Sequence, residues 1–125
     1  MTISEVSEKY DLTQDALRYY ERIGLIPPVP RKSSGFRDYD EYSCGWIEFI
    51  RCMRNAGLPI ESLIEYVKLY QEGPENYEAC MQILIEERAK LDARIQTMLA
   101  TRERLDGKIA HYAEINANME NLIKE

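Results

Sequence analysis

Apolar residues recur every three or four positions near the start of the chain, and this spacing predicts a first short helix. Thr2 and Glu5 stand three positions apart, as in a capping box, in which each side chain hydrogen-bonds the backbone of the other residue. Ile3, Val6 and Tyr10 would then share one face, which we expect a second helix to cover.

The second helix is predicted to begin at Thr13, whose side chain can cap it, and to end near Ile23, before Gly24. A tight turn at residues 11–12 makes the pair a helix-turn-helix pattern, which many helical hairpins share. The positions expected to pack against the first helix are Ala16, Leu17, Tyr20 and Ile23. The positions expected to face outward are Gln14, Arg18, Tyr19 and Arg22. Of the two adjacent tyrosines, the first is therefore a surface residue and the second a core residue.

The segment "LIPPVPRKSSGFRDYD", residues 25–40, contains three prolines, which prevent a helix. We predict two short strands in it, at residues 29–32 and 36–39, joined by a Ser-Ser-Gly turn at residues 33–35. A hairpin directly after the second helix of a helix-turn-helix pair is a wing.

Two more helices follow the predicted wing. Asp40 can cap a third helix that runs to about Ala56, and its apolar stripe is Trp46, Phe49, Ile50 and Met53. This stripe favours a core role over a cofactor site. The fourth helix should run from about Ile60 to Glu72, with Leu63, Ile64 and Val67 facing inward.

The rest of the chain, from about residue 76 to 122, has a heptad pattern. One column is apolar: Leu84, Leu91, Met98, Leu105, Tyr112 and Met119. Its companion column alternates between apolar and polar: Arg88, Ile95, Arg102, Ile109, Asn116 and Ile123. Such a helix cannot bury its seam alone, so a homodimer through it is the simplest solution, and folding back on the head is the alternative.

The expected fold class is therefore mainly α, with a winged helix-turn-helix head and a long C-terminal helix. We place the winged helix-turn-helix domain at residues 1–72 and the coiled-coil dimerisation helix at residues 75–123, and we expect no separate effector domain.

Composition agrees with a soluble, folded protein, with 45% hydrophobic and 30% charged residues. No apolar run approaches the roughly 20 residues of a membrane span, and the N-terminus lacks a secretory signal, so we expect a cytoplasmic protein without a membrane partner. Three cysteines without paired spacing fit free thiols in a reducing compartment.

The net charge of −6 by itself argues against a nucleic-acid partner, but the charges are unevenly distributed along the chain. Residues 18–37 contain Glu21 as their one acid against five bases: Arg18, Arg22, Arg31, Lys32 and Arg37. This local excess of positive charge on the predicted second helix and wing is what a DNA footprint requires. An enzyme is a poor alternative, because one histidine, no metal-ligand spacing and no glycine loop for phosphate leave no catalytic constellation or cofactor site.

The segments "RYYE", "GLIPP" and "SGFRDY", in this order and followed by "IEFIRCMRNAGLPIESL" and the terminal helix, resemble the MerR family of transcription regulators throughout the chain. The resemblance implies an antiparallel coiled-coil homodimer bound to promoter DNA whose spacer between the RNA polymerase contact elements is too long. Dimers of this family bend and untwist that spacer, which activates transcription and makes DNA deformation part of recognition.

The same resemblance assigns residues to the DNA interface. Thr13, Arg18 and Tyr19 would approach DNA from the second helix, and Arg37 and Tyr39 from the wing. Arg18 is the candidate for reading a base edge, whereas Tyr19, Arg37 and Tyr39 would contact phosphate. The remaining polar and basic residues expected on this surface are Gln14, Arg22, Arg31 and Lys32.

The cysteines indicate the branch of the family. Metal-sensing relatives have paired cysteines beyond the dimerisation helix, but no cysteine follows Cys80 here and His111 alone cannot complete a metal site. The context "IEFIRCMRNAGL" resembles the NmlR/AdhR-like branch, in which a lone cysteine responds to reactive aldehydes or to oxidative or nitrosative stress. We therefore expect Cys52 to be the sensor thiol, half-buried beside Phe49 and Ala56. The rival is Cys44, expected on the opposite, exposed side of the third helix, where the helix dipole favours a thiolate.

Two other functions remain open from the sequence. The chain would be a MerR-type regulator without thiol sensing if all three cysteines are structural. It would be a coiled-coil protein-interaction module if the basic residues of the wing contact no DNA.

Overall fold

The computed structural model describes residues 1–124, and side chains up to residue 120, as a mainly helical protein. The elements in chain order are α1 (Ile3–Tyr10), α2 (Gln14–Ile23), α3 (Glu41–Asn55), α4 (Ile60–Glu72), a 3₁₀ turn (Pro74–Asn76) and α5 (Tyr77–Lys124). They form two compact units, the first extending from Met1 to Glu87 and the second from Arg88 onward. The predicted fold class is confirmed, and the first unit also contains the start of α5.

Side-chain caps begin the first three helices, as the sequence predicts. At α1 both bonds of the capping box are present, from the Glu5 N–H to Thr2 Oγ1 at 3.1 Å and from the Thr2 N–H to Glu5 Oε1 at 3.0 Å. Thr13 Oγ1 accepts from the backbone of Ala16 at 3.0 Å, and Asp40 caps α3 in the same way. These local bonds fix where each helix begins.

The end of α2 depends on a glycine. Gly24 has φ +85°, a left-handed conformation that L side chains rarely adopt, and its N–H bonds the last carbonyls of α2. The chain therefore leaves the helix sharply, and Leu25 and Ile26 immediately enter the core, each 1% exposed.

The core of the first unit joins all four head helices. Val6 of α1, Leu17 of α2, Ile50 of α3 and Val67 of α4 are each at most 1% exposed and belong to one cluster. Burying an aliphatic side chain of this size contributes about 1.5–3 kcal/mol. The core thus holds α2 with one side inward and the other in solvent.

The buried face of α3 is wider than the sequence predicts. Trp46 and Ile50 are buried as expected, but Ile47, which lies outside the predicted stripe, is fully buried as well. Helix α3 packs against α1 on one side, while Trp46 contacts the rings of Tyr66 and Tyr70 on α4. A helix covered from two sides buries more than one stripe.

The expected exposure of Cys44 was wrong: this residue is 8% exposed, and its thiol lies 4.0 Å from Met1 Sδ. The reason is a contact between distant parts of the chain. The Tyr39 N–H donates to the Met1 carbonyl at 2.8 Å, which brings the Met1 side chain over the first turn of α3.

The two strands predicted for the wing were also wrong. Within residues 1–124 the wing contains a single antiparallel bridge, between Arg31 and Arg37, around a turn in which the Gly35 N–H bonds the Lys32 carbonyl at 2.8 Å. Pro30 has no N–H, so it accepts from Asp38 at 2.7 Å but cannot donate to extend the ladder. The wing is therefore a tight loop with few backbone bonds.

Within the second unit, residues 88–124 are helical, and the apolar column of the heptads is half-buried at Leu91 and exposed from Met98 onward. Met98, Leu105, Tyr112 and Met119 are between 54% and 71% exposed, and the side chain of Ile123 lies outside the described residues. This is the surface that a coiled-coil partner would bury. None of the described helices is both long enough and apolar enough to cross a membrane.

Candidate nucleic-acid interface

Helix α2 is divided between core and solvent, as its pattern predicts. Leu17 is fully buried and Tyr20 packs against the core, whereas Tyr19 is 41% exposed. The predicted division of the two tyrosines is confirmed. Arg18 and Arg22 are exposed on the same side as Tyr19.

Arg18 is held in place by two neighbours on its own helix. Its guanidinium donates to Asp15 Oδ1 at 3.2 Å and to Gln14 Oε1 at 3.4 Å. The Arg18 and Asp15 side chains are 47% and 96% exposed, so their ion pair is screened by water and weak. An incoming phosphate or base edge can therefore replace Asp15 without a large loss.

Tyr19 and Arg22 support each other on the outer face of α2. The guanidinium carbon of Arg22 lies 5.3 Å from the centre of the Tyr19 ring, a cation–π contact. The contact keeps a hydroxyl donor and a cation side by side, an arrangement that suits phosphate.

The wing presents two more cations and one apolar residue. Arg31 Nη1 donates to the Gly35 carbonyl at 2.9 Å, and Lys32 is exposed beside it. Phe36, which was not among the residues predicted for the interface, is 75% exposed at the tip. The signal was present, because Phe36 follows the turn glycine and belongs to no apolar stripe.

Two open grooves run between α2 and the wing, and Arg18, Arg31 and Arg37 border both of them. The first measures about 750 Å³ and is also lined by Asp15, Tyr19, Glu21 and Arg22. The second measures about 570 Å³ and is also lined by Thr2, Ile3, Lys32, Ser34, Gly35 and Phe36. Most of the residues predicted for the interface are thus brought together, whereas Thr13, Gln14 and Tyr39 do not line either groove.

Glu21 is the one acid that lies deep in this basic surface. Its carboxylate accepts from Arg37 Nε at 2.6 Å and from the Val29 N–H at 2.7 Å. Burial alone would raise the pKa of Glu21, but the two hydrogen bonds outweigh burial and hold the pKa below its ordinary value. The carboxylate therefore stays ionised at neutral pH, with Arg37 as its partner.

Tyr39 does not lie where a phosphate contact requires it, so that prediction is corrected for the free chain. The residue is 1% exposed, and its buried hydroxyl has no hydrogen-bond partner among the described residues. Burial raises the pKa of this phenol, which stays neutral. Tyr39 sits between the wing and the α3 cap, and its bond to Met1 holds the backbone so that the ring enters the core.

The three thiols, all within the described residues, differ in access. Cys52 is exposed on α3, so the half-buried position expected for it was wrong, while Cys44 and Cys80 are buried. Burial raises the pKa of the Cys80 thiol, which lies 3.8 Å from the Tyr66 carbonyl. Cys52 is therefore the accessible nucleophile.

Two arginines beside Cys52 fasten α3 to its surroundings. Arg51 Nη1 donates to the Tyr10 carbonyl at the end of α1, at 3.0 Å, and Arg54 Nη1 donates to the Leu58 carbonyl at 2.7 Å. A chemical change at Cys52 would therefore occur next to the bonds that orient α3.

We predict that Thr13→Ala lowers the free energy of unfolding by about 1 kcal/mol, because it removes the side-chain cap of α2. Thr13→Ser keeps the hydroxyl and is expected to lose much less. Chemical denaturation of both variants measures the difference. Equal losses for the two would show that the methyl group, not the cap, matters.

Comparisons with known proteins agree along the chain. The profile of the MerR HTH family of regulatory proteins matches residues 1–69, and the profile described as "MerR, DNA binding" matches residues 45–108. Together the two profiles cover the head and most of α5.

Among curated relatives, the HTH-type transcriptional regulator AdhR of Bacillus subtilis is 59% identical over 91 residues, which is 73% of this chain and 65% of AdhR. The matched part of this chain thus spans slightly less than two thirds of the length of AdhR. A crystal structure from Listeria monocytogenes, solved as a MerR family transcriptional regulator, matches 100% of this chain and 99% of its own, with a TM-score of 0.90 and 41% identity.

A third match confirms the fold alone. The structure of HiNmlR, described as a MerR family regulator that lacks the sensor domain and is bound to promoter DNA, has a TM-score of 0.83 at 22% identity. It covers 93% of this chain and 92% of its own.

Proposed function

This chain belongs to the MerR family of helix-turn-helix regulatory proteins, and we propose that it is a homodimeric transcription regulator that binds and distorts promoter DNA. The observation that carries the proposal is the pair of basic grooves between α2 and the wing, which share Arg18, Arg31 and Arg37. In a helix-turn-helix protein, the outer face of α2 is the face that enters the major groove. The exposed cations of this surface supply the phosphate contacts: Arg18, Arg22, Arg31 and Lys32.

Dimerisation through α5 gives the heads their spacing. Two heads joined by paired helices present two copies of the α2 surface to successive turns of one duplex. If the operator half-sites do not match the distance between heads, binding is possible only when the DNA bends or untwists. The deformation energy then contributes to specificity and changes the geometry that RNA polymerase meets.

We further propose that reactive aldehydes act on Cys52. The thiolate would attack the carbonyl carbon, a C–S bond would form, and the carbonyl oxygen would take up a proton to give a hemithioacetal. Because Cys52 is exposed, the adduct would not add volume to the core. It would instead act on the adjacent anchors, Arg51 on Tyr10 and Arg54 on Leu58, which hold α3 in the head.

DNA binding is tested by titrating a duplex from the region upstream of the protein's own gene at rising salt. We expect the logarithm of the binding constant to fall linearly with the logarithm of salt concentration, because each phosphate contact releases counterions. Each contact makes the slope more negative by about 0.9. No binding at low salt, or binding that salt does not weaken, would contradict the proposal.

Cys52→Ser is expected to retain operator binding and to lose the response to aldehyde, because serine is a poor nucleophile at neutral pH. Promoter-reporter activity with and without formaldehyde measures the response. Cys44→Ser and Cys80→Ser are the matched controls, since both thiols are buried, and each should keep the response. A full response in Cys52→Ser would move the sensor to another residue.

A further inference from the structure

The Glu21 carboxylate connects α2 to both arms of the wing. Its Oε2 accepts from the Val29 N–H, where the chain enters the wing, and its Oε1 accepts from Arg37 Nε, where the chain leaves it. The Glu21 and Arg37 side chains are only 14% and 23% exposed, so water screens this pair much less than it screens the Arg18–Asp15 pair.

We infer that Glu21 is a positioning residue that fixes the wing relative to α2, and that Arg37 acts through Glu21 instead of as a free phosphate ligand. The inference rests on the proposed DNA binding and adds a division of labour to it. Arg18, Arg31 and Lys32 supply charge toward DNA, whereas Arg37 and Glu21 form a clasp.

The wing needs such a clasp because its backbone provides few bonds. It has one antiparallel bridge, between Arg31 and Arg37, and Pro30 on its entering arm cannot donate. A loop with so little ladder can change its angle to α2 unless a side chain fixes it. One carboxylate that bonds both arms restricts that angle more than a contact to either arm alone.

The negative charge of Glu21 suits a residue that positions the wing, but it does not suit a residue that contacts DNA. An acid among phosphate-binding cations weakens DNA binding by Coulomb repulsion. The two hydrogen bonds that lower the Glu21 pKa also keep the residue charged, so that cost is permanent. The two bonds to the arms of the wing, from Val29 and Arg37, give the charged carboxylate a positioning role that offsets this repulsion.

Asp15 provides a matched control for Glu21. It lies on the same helix and lines the same groove, but its side chain is 96% exposed and its ion pair is with Arg18, on α2 itself. Asp15→Asn therefore removes the same charge from the same surface without releasing the wing.

The first test uses the DNA-free protein. Amide hydrogen exchange should be about tenfold faster at Val29, Lys32 and Asp38 in Glu21→Gln than in the wild type, because local opening of the wing becomes easier. The same amides should be unchanged in Asp15→Asn. Unchanged exchange in Glu21→Gln would overturn the inference, whether or not the protein binds DNA.

The second test measures operator affinity and its salt dependence. We expect Glu21→Gln to bind about tenfold more weakly than the wild type with the same salt slope, because contacts are misplaced but no phosphate ligand is lost. Asp15→Asn should bind more tightly than the wild type, because it removes a negative charge from the same groove without releasing the wing. If Glu21→Gln binds more tightly with a steeper slope, Glu21 only screens a free Arg37 and the inference fails.

Arg37→Gln completes a double-mutant cycle with Glu21→Gln. The test then does not rest on Glu21→Gln alone, whose lower affinity could come from lower stability. Because the two residues act as one unit, Arg37→Gln should match Glu21→Gln in affinity, and the double variant should be no weaker than either. A decrease of about 0.9 in the salt slope of Arg37→Gln, or additive losses in the double variant, would identify Arg37 as an independent phosphate ligand and overturn the clasp.

Discussion

Leu105→Glu is expected to convert the protein to monomers and to abolish operator binding at concentrations that saturate the wild type. Leu105 lies in the middle of the apolar column of α5 and is 56% exposed in the single chain. In the proposed dimer it is buried, and the substitution removes about 1.5–3 kcal/mol of apolar burial from each of two chains. Placing two carboxylates in the seam adds a desolvation cost.

Dissociation of the dimer should lower the affinity for DNA strongly, although each head stays folded. A single head loses the gain from simultaneous binding of two half-sites, which amounts to about 10²–10⁴ in affinity. Light scattering gives the mass of the variant, and a gel shift gives its affinity. Ala100→Glu is the matched control, because Ala100 occupies an exposed position on the opposite side of the heptad and should leave both quantities unchanged. A dimeric Leu105→Glu would contradict the assigned seam.

Arg18→Ala is expected to weaken specific operator binding by about 1–3 kcal/mol, or roughly 5- to 150-fold, and to relax the preference at one base pair. Arg18 borders both grooves, and only an exposed pair with Asp15 competes for its guanidinium. Removing the Arg18 side chain should therefore remove a contact to a base without disturbing the core.

Binding to duplexes with single base-pair changes measures this prediction. Arg31→Ala is a useful contrast, because a phosphate ligand lost from the wing should weaken binding to every duplex equally and reduce the salt slope by about 0.9. If Arg18→Ala keeps the full sequence preference of the wild type, another residue reads the base edge.

The helices of the head were predictable because their signals are local. Thr2, Thr13 and Asp40 each bond a backbone N–H within three positions, and the left-handed conformation at Gly24 ends α2. The bounds of α4 were predicted in full, since its apolar spacing ends at a glycine–proline break. Bonds of this kind depend on neighbours that the sequence itself places together.

Three of the errors share a different cause, which is contact between distant segments. Cys44 is buried and Tyr39 enters the core because Met1, about forty positions away, lies against both of them. The wider buried face of α3 likewise depends on rings supplied by α4. Helical periodicity gives the side on which a residue lies but not which other segment covers that side.

Sequence alone marks Glu21 as unusual, because it is the one acid between Arg18 and Arg37, but it does not predict its role. The two partners of its carboxylate are 8 and 16 positions away, and the chain between Glu21 and the farther partner contains two glycines and three prolines. The contact depends on the path of the wing, and that path has no regular period. By contrast, the seven-residue repeat of α5 is sufficient to predict a helix with an exposed seam.

In the proposed complex, two copies of this chain bind one duplex through paired α2 surfaces. The most direct test is the mass of the complex with a promoter fragment, determined by sedimentation equilibrium at micromolar protein. We expect free protein at twice the 14.6 kDa mass of one chain, and a complex that contains two chains and one duplex. Single chains at that concentration, with no complex on any fragment from the upstream region, would contradict the account.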